Sequence, residues 1–364
     1  MSKTKNISRL FVRLAAVCLS VLFFTGCGGE QWEPEEDNYI PPVSNPPQLS
    51  VDELLQTAEQ GDPKSQCALG ECYVKGDGVQ QDYDKAFKWF RKAADQGFAE
   101  AQDWIGGCYM LGLGVEETPE EAVKWIRKAV DQGFVKAYYS LGYCYFYGRG
   151  VPEDKVEAVK WFRQATEQGL PEAEYSLGLA YFSGNGVKKD KSEAVQWYRK
   201  AAMHGYPEAQ HNLAWSYHHG EGVSKNMAEA MKWYRRAAQQ GSTHAMTNLG
   251  SIYYAGNGVK RDYEEAVKWF RLAAEAGDEQ GQFNLGLCYY NGDGVKRDYE
   301  EAVKWYRKAA EAGLAESQLN LGECFRLGAG VKQDKTEAVK WYRKAAEQGN
   351  SNAIRALEHL GETE

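Results

Sequence analysis

Residues 249–274 read LGSIYYAGNGVKRDYEEAVKWFRLAA, and a stretch of the same design returns at a fixed interval through most of the chain. Trp269 within it has counterparts at Trp89, Trp125, Trp161, Trp197, Trp233, Trp305 and Trp341, each 36 residues from the next. Self-similarity at such a period identifies a tandem array, in which each unit buries its apolar face against its neighbours and no single core is required. Written from glycine to glycine, eight complete units begin at Gly61, Gly97, Gly133, Gly169, Gly205, Gly241, Gly277 and Gly313.

Each unit reads as two helices. The first carries a Leu-Gly pair, as at Leu249-Gly250, with an aromatic residue four positions after the leucine (Tyr253), which puts leucine and aromatic on one helix face. Glycine inside a helix removes a side chain where a second helix must come close. A Gly-x-Gly-Val turn follows in every unit, from Gly76/Gly78 to Gly328/Gly330, and glycine supplies the left-handed conformation that ends a helix. These are not phosphate-cradling loops, since no third glycine and no Lys-Ser/Thr follow. An Asp or Asn then stands as N-cap (Asp82, Asp154, Asp190, Asn226, Asp262, Asp298, Asp334). The second helix places Ala266, Trp269, Phe270, Ala273 and Ala274 at core spacing. Its charges, as in Glu264/Lys268 and Glu300/Lys304, are expected to pair at i, i+4 on a solvated face.

The array has ends. Ser50-Val51-Asp52-Glu53 forms a capping box opening a lone second-type helix through Gln60, and Ala353, Leu357 and Leu360 supply a lone first-type helix. The α-solenoid is therefore expected over residues 50–361, with half-repeat caps at 50–60 and 349–361.

Before it, residues 1–26 read as an export signal: Lys3, Lys5, Arg9 and Arg13, then an apolar run from Leu14 to Phe24 that is too short for a stable membrane span. Thr25-Gly26-Cys27 resembles the lipobox of bacterial lipoproteins, which implies lipidation of Cys27 and a membrane-anchored protein of the cell envelope. Phe24 departs from the leucine usual there; an ordinary cleaved signal and a transmembrane anchor are the alternatives. Residues 27–49, with five prolines and five acids, read as a tether able to reach about 70 Å when fully extended. The formal net charge is −8 and becomes more acidic once the four N-terminal cations are removed, which argues against sequence-independent nucleic-acid binding.

The Leu-Gly, Tyr, Gly-x-Gly-Val, Asp, Ala, Trp-aromatic and Ala-Ala pattern at this period resembles the Sel-1-like repeat family, relatives of the tetratricopeptide repeats, over roughly residues 50 to 361. The resemblance implies an all-α, right-handed superhelical stack of antiparallel helix pairs, a concave surface lined by the first helices, and an adaptor or scaffold role. Departures are Ile105 for leucine, Ala214 for glycine, and Trp104. A cysteine-rich branch of the family, to which penicillin binding and weak hydrolysis are attributed, pairs cysteines between helices. This chain lacks the second cysteine position.

Positions that vary between units are where a partner is expected to be read. Three vary together on each first helix at i, i+4, i+7, including Tyr139-Tyr143-Phe146, Tyr175-Leu179-Phe182, His211-Trp215-His218, Thr247-Ser251-Tyr254 and Phe283-Leu287-Tyr290. This stripe is expected to be exposed, distinct from the inner Leu/Tyr stripe, and with Tyr147 to form an aromatic groove for an extended peptide or a partner helix. Two other outcomes are a tightly curled solenoid that buries the rings against one another, and a glycan-binding surface.

His211 and His218 lie two turns apart and cannot share one metal. His219 is expected to point elsewhere, and a cross-helix pair of His211 with His244 is the remaining geometry for a metal; no metal or cofactor is expected. Cys72, Cys108, Cys144, Cys288 and Cys324 share a slot with Ala180, Ser216 and Ile252, which marks a small buried position. Outside the signal there is no Ser-x-x-Lys, Gly-x-Ser-x-Gly, His-Glu-x-x-His or Walker sequence. The expectation is a non-catalytic, membrane-tethered interaction scaffold. The alternatives are a protein that binds cell-wall glycan or muropeptide, with weak hydrolysis, and a secreted factor acting on a host.

Overall fold

A computed structural model describes residues 50–362. The export signal, Cys27 and the tether lie outside the described residues. Those described contain eighteen α-helices and no strand: α1 Val51–Glu59, α2 Pro63–Lys75, α3 Tyr83–Asp95, α4 Ala99–Leu111, α5 Pro119–Asp131, α6 Val135–Tyr147, α7 Lys155–Thr166, α8 Pro171–Ser183, α9 Lys191–Met203, α10 Pro207–His219, α11 Met227–Gln239, α12 Thr243–Ala255, α13 Tyr263–Glu275, α14 Glu279–Asn291, α15 Tyr299–Glu311, α16 Ala315–Leu327, α17 Lys335–Glu347 and α18 Ser351–Leu360. They form two compact units, one ending at Ala209 and one beginning at Gln210, and each is an α-solenoid of stacked helix pairs. Among the described residues no helix is long and apolar enough to cross a membrane.

The glycine of the Leu-Gly pair acts as the sequence suggests. A Cβ added at Gly142 would stand 2.7 Å from the ring of Phe162, and one at Gly250 would stand 2.5 Å from Phe270. The bare backbone lets the second helix lay its aromatic ring flat on the first, while Leu141 and Leu249 beside it are fully buried. The Asp and Asn N-caps are also as expected: Asp82, Asp154, Asp190, Asn226, Asp262, Asp298 and Asp334 each accept from the backbone N–H three residues on. Thr118 in the second repeat caps with no side-chain bond.

The two glycines of the Gly-x-Gly-Val turn have different jobs, which the sequence alone did not separate. The first, as at Gly148 with φ +63°, closes the first helix in the left-handed conformation. The second, as at Gly114, also has φ +63°, but its missing Cβ would press into the backbone at Tyr83 in the preceding repeat. It is a stacking position between repeats, where only hydrogen fits.

Two expectations about side chains are corrected. Lys268 and Lys304 pair with Glu265 at 2.7 Å and Glu301 at 2.8 Å, three residues back, and not with Glu264 and Glu300. Both spacings lie on one helix face, and the i−3 acid is the one whose side chain meets the lysine here. The equivalent acids Glu193 and Glu229 instead accept from the indole N–H of Trp197 and Trp233 at 3.0 and 2.9 Å. The repeating tryptophan is a lid as much as a core residue: Trp125 is 7% exposed, with Lys128 Nζ 3.4 Å from its ring centroid.

A glutamine clasp joins consecutive repeats. Gln66 donates to the Ala58 carbonyl at 3.0 Å and accepts from Gln96 at 2.8 Å, so α2 is tied both to the helix before it and to the one after. Gln102/Gln132 and Gln318/Gln348 repeat the side-chain bond at 2.8 Å, and Gln210/Gln240 repeats it at 2.9 Å. In the fourth repeat the pair is Glu174 and His204, at 2.9 Å. Ser50 and Glu53 form a reciprocal capping box on α1, and Ala353 and Leu357 are the buried residues of α18. Glu358 occupies the position that is glycine at Gly322, and among the described residues no second helix packs over it.

Candidate functional site

The variable stripe is not an exposed one. Tyr175 is only 6% exposed, and Tyr139, Tyr143, Phe146, Tyr147, Phe182, His211, Trp215, His218, Tyr254, Phe283 and Tyr290 are all half-buried. The cause is the second helix of each repeat. Its aromatic residue lies over the glycine of the first helix and offers its ring to the first and third positions of the stripe.

In the first unit, Tyr139 and Phe146 lie 5.6 and 6.3 Å from the same ring, Phe162, and Tyr175 lies 5.9 Å from Tyr198. Tyr175 also meets Tyr206, at 5.3 Å. In the second unit, Phe283 and Tyr290 share Tyr306 at 6.0 and 6.4 Å, Tyr254 meets Phe270 at 6.4 Å, and His211 and His218 flank Tyr234 at 5.6 and 6.2 Å. The ring under each stripe was missed in the sequence because it also occupies a buried core position.

The middle position differs. Tyr143 lies with Tyr147, ring centroids 4.6 Å apart, and Phe146 meets Tyr147 edge-on at 4.9 Å. Tyr139 and Phe146 pack against the buried cluster around Leu177, whereas Tyr143 and Tyr147 stand outside the two clusters of this region among the described residues. Phe182 sits under Lys191, whose Nζ is 5.4 Å from its ring. In the second unit, Trp215 meets His219 at 4.5 Å, and His219 meets His218 at 4.4 Å. His219 therefore turns back onto its own helix, against the expectation that it points away, because its Nδ1 bonds the Trp215 carbonyl at 3.0 Å.

The ring nitrogens of His211 are taken up by side-chain amides. The rings of His211 and His244 are 6.1 Å apart, but His211 has its Nε2 3.1 Å from Asn248 Nδ2 and its Nδ1 3.2 Å from Asn212 Oδ1. Both ring nitrogens are thus engaged, one accepting from the Asn248 amide and the other donating to Asn212. Burial and the neighbouring His244 hold the His211 imidazole down to about 4, and burial with His219 does the same for His218, also to about 4. Among the described residues no group of three or more His, Cys, Asp or Glu could hold a metal ion. Cys108, Cys144, Cys288 and Cys324 are buried free thiols, as their slot suggests, while Cys72 is half-buried. Burial pushes the Cys108, Cys144 and Cys288 thiols up to about 12, which makes them unreactive packing residues.

The Sel1 repeat pattern matches residues 63–98, 99–134, 135–170, 171–206, 207–242, 243–278, 280–314 and 315–350, so that each match starts with a first helix and runs to the end of the second. The chain belongs to the Sel1 repeat family. Among solved structures, this Sel1 repeat protein is similar to a protective antigen present in uropathogenic Escherichia coli strains that displays an SLR fold. The two are 38% identical over 86% of this chain and 67% of the other, with a TM-score of 0.69. It is also similar to a Sel1 repeat protein from Oxalobacter formigenes, at 35% identity over 86% of this chain and 91% of the other, with a TM-score of 0.63. No curated protein matches the sequence. Sel1 repeat proteins generally mediate protein–protein interaction.

Proposed function

We propose that this protein is a non-catalytic scaffold that holds a segment of a partner protein against the first-helix face of its repeats. The observation that carries this is the Tyr143–Tyr147 pair. In a repeat whose Tyr139 and Phe146 rings are absorbed by packing on Phe162, these two rings lie against each other at 4.6 Å, outside the two buried clusters of this region among the described residues. Rigid tyrosines that keep part of their surface in water supply large contact area at low entropic cost, which is what a peptide-holding face needs. Trp215 has the equivalent place in the fifth repeat.

The tether and lipidated Cys27 would hold this face near a membrane surface, outside the cytoplasm. The similarity to a protein described as a protective antigen supports a place where other molecules can reach the repeats. The test is a crosslinking pull-down from native membranes, comparing wild type with Tyr143→Ala plus Tyr147→Ala after both are shown to be equally helical. Loss of specific proteins with the variant supports the scaffold. Recovery of the same proteins by both sinks this face as the working surface, and turnover of a cell-wall substrate by the purified protein would sink the non-catalytic assignment.

A further inference from the structure

The first unit holds a polar group that neither the core nor the aromatic pair uses. Asp103 takes the first stripe position of α4, where the next two repeats place Tyr139 and Tyr175. Its Oδ1 is withdrawn from solvent and meets no hydrogen-bond donor among the described residues. Burial pushes the carboxyl up to about 6 and Glu100 adds to this, against the Ser140 hydroxyl and the charge of Lys136. A buried carboxylate oxygen without a donor is a costly state, which an incoming donor would relieve.

One helical turn further along the same face stands Gly107. The following repeats fill that row with Tyr143 and Leu179, but a Cβ added at Gly107 would meet nothing within 4 Å. Unlike Gly106 beside it, where a Cβ would stand 2.5 Å from Ile126, Gly107 is not required by packing. The missing side chain leaves a notch in the first-helix face, one turn from the open oxygen of Asp103 and next in the row to Tyr143. Its surroundings are acidic: burial raises the neighbouring Cys67 thiol most, and Glu100, Glu71 and Asp103 add to this against the charge of Lys136. Glu71 is held by Lys75 at 2.8 Å, while Lys136 is exposed and pairs with no acid within 4 Å among the described residues.

We propose that Asp103 and the open space over Gly107 form a subsite for a lysine or arginine side chain of the segment bound on the first-helix face, with apolar side chains of that segment lying on Tyr143 and Tyr147. This rests on the proposed function of that face and names the chemistry it selects. The charge matches, because a cation entering the notch supplies the donor that Asp103 Oδ1 lacks. The neighbouring row supplies the apolar contact.

The test uses the full chain and immobilised peptides Ac-Gly-Xaa-Gly-Phe-Gly-Phe-Gly, with Xaa as Lys, Arg, norleucine or Glu. Lys and Arg members bind the wild type about tenfold more tightly than norleucine, the ratio expected for a charge-assisted bond to a desolvated carboxylate. Asp103→Asn, which keeps the shape, brings the Lys and Arg members down to the norleucine level and leaves norleucine binding unchanged. Gly107→Leu copies the residue at Leu179 and fills the notch, with the same loss. Equal binding of Lys and norleucine by the wild type, or an undiminished preference in Asp103→Asn, overturns the subsite while leaving the face standing. Failure of every member of the series to bind overturns the face and the subsite together.

Discussion

The guanidinium of Arg271, on α13, donates to the phenol oxygen of Tyr289, on α14, at 2.7 Å. The same link joins Arg127 to Tyr145 and Arg235 to Tyr253 at 2.8 Å, and Arg163 to Tyr181, each time from the second helix of one repeat to the first helix of the next. The aromatic residue four positions after the repeat leucine thus packs inside with its ring and ties repeats together with its hydroxyl. At the last interface the hydroxyl is absent, and Arg307 lies 5.5 Å from the ring of Phe325. Tyr289→Phe therefore copies a natural interface, and is expected to cost about 1 kcal/mol in urea unfolding, the net worth of one such bond. A loss above about 3 kcal/mol would show that the link carries more of the stacking than this geometry implies.

Two glycines only seven residues apart should respond in opposite directions. Gly114 has φ +63° and its Cβ would press on the Tyr83 backbone, so Gly114→Ala combines left-handed strain with a clash that no rotamer relieves. A loss of about 3 kcal/mol is expected. Gly107 lies inside α4 with open space above it, so Gly107→Ala should stabilise by about 0.5–1 kcal/mol through helix propensity. Thermal midpoints of the two variants against wild type decide this, and equal effects would contradict the assignment of Gly114 to stacking.

The Asp103 carboxyl is pushed up from 3.8 to about 6 by burial. A carboxyl whose folded value lies above its unfolded one contributes its full stability below the unfolded value and loses it as pH rises through about 6. The loss is on the order of 3 kcal/mol. Asp103→Asn is expected to raise the urea midpoint at pH 7 and leave it nearly unchanged at pH 4. A variant no more stable than wild type at pH 7 would show that Oδ1 has found a donor besides the Ser140 hydroxyl on the carboxyl.

His211 and His218 work in the opposite direction and in the second unit. Their folded values lie near 4, below the usual 6.5, so the stability of the neutral rings is complete above about 6.5 and is lost as pH falls toward 4. Replacing His211 by Phe, the residue found at the equivalent Phe283, keeps a ring against Tyr234 and removes one titrating group. The variant should lose less stability than wild type between pH 7 and pH 5, measured by chemical unfolding of each. Identical pH profiles would mean that solvent reaches the imidazole.

Most of the fold was legible in the sequence, and for one reason: each feature is local and is repeated. The 36-residue tryptophan period, the Leu-Gly pair, the Asp caps and the left-handed turn glycines each report a backbone or neighbour constraint satisfied within one repeat, so eight copies confirm one another. The glutamine clasp was also present as a column of Gln66, Gln102, Gln210 and Gln318, but its partners lie 30 residues away, and only the stacked helices show them meeting.

Burial of the variable stripe was decided by the tertiary structure. Spacing at i, i+4, i+7 places Tyr139, Tyr143 and Phe146 on one face of one helix. It does not say that the second helix, drawn close by Gly142, sets Phe162 beside two of those rings and leaves Tyr143 to Tyr147. The open oxygen of Asp103 is of the same kind. A carboxylate on a helix looks solvated in sequence, and only the packing of the neighbouring repeats takes it out of water and leaves its Oδ1 without a donor. Sequence alone determined the repeat and its class of fold, because those follow from the periodicity of short-range constraints. Which side chains of the stripe are absorbed by packing was decided by the approach of helices distant in sequence, since burial is a property of neighbours and not of spacing.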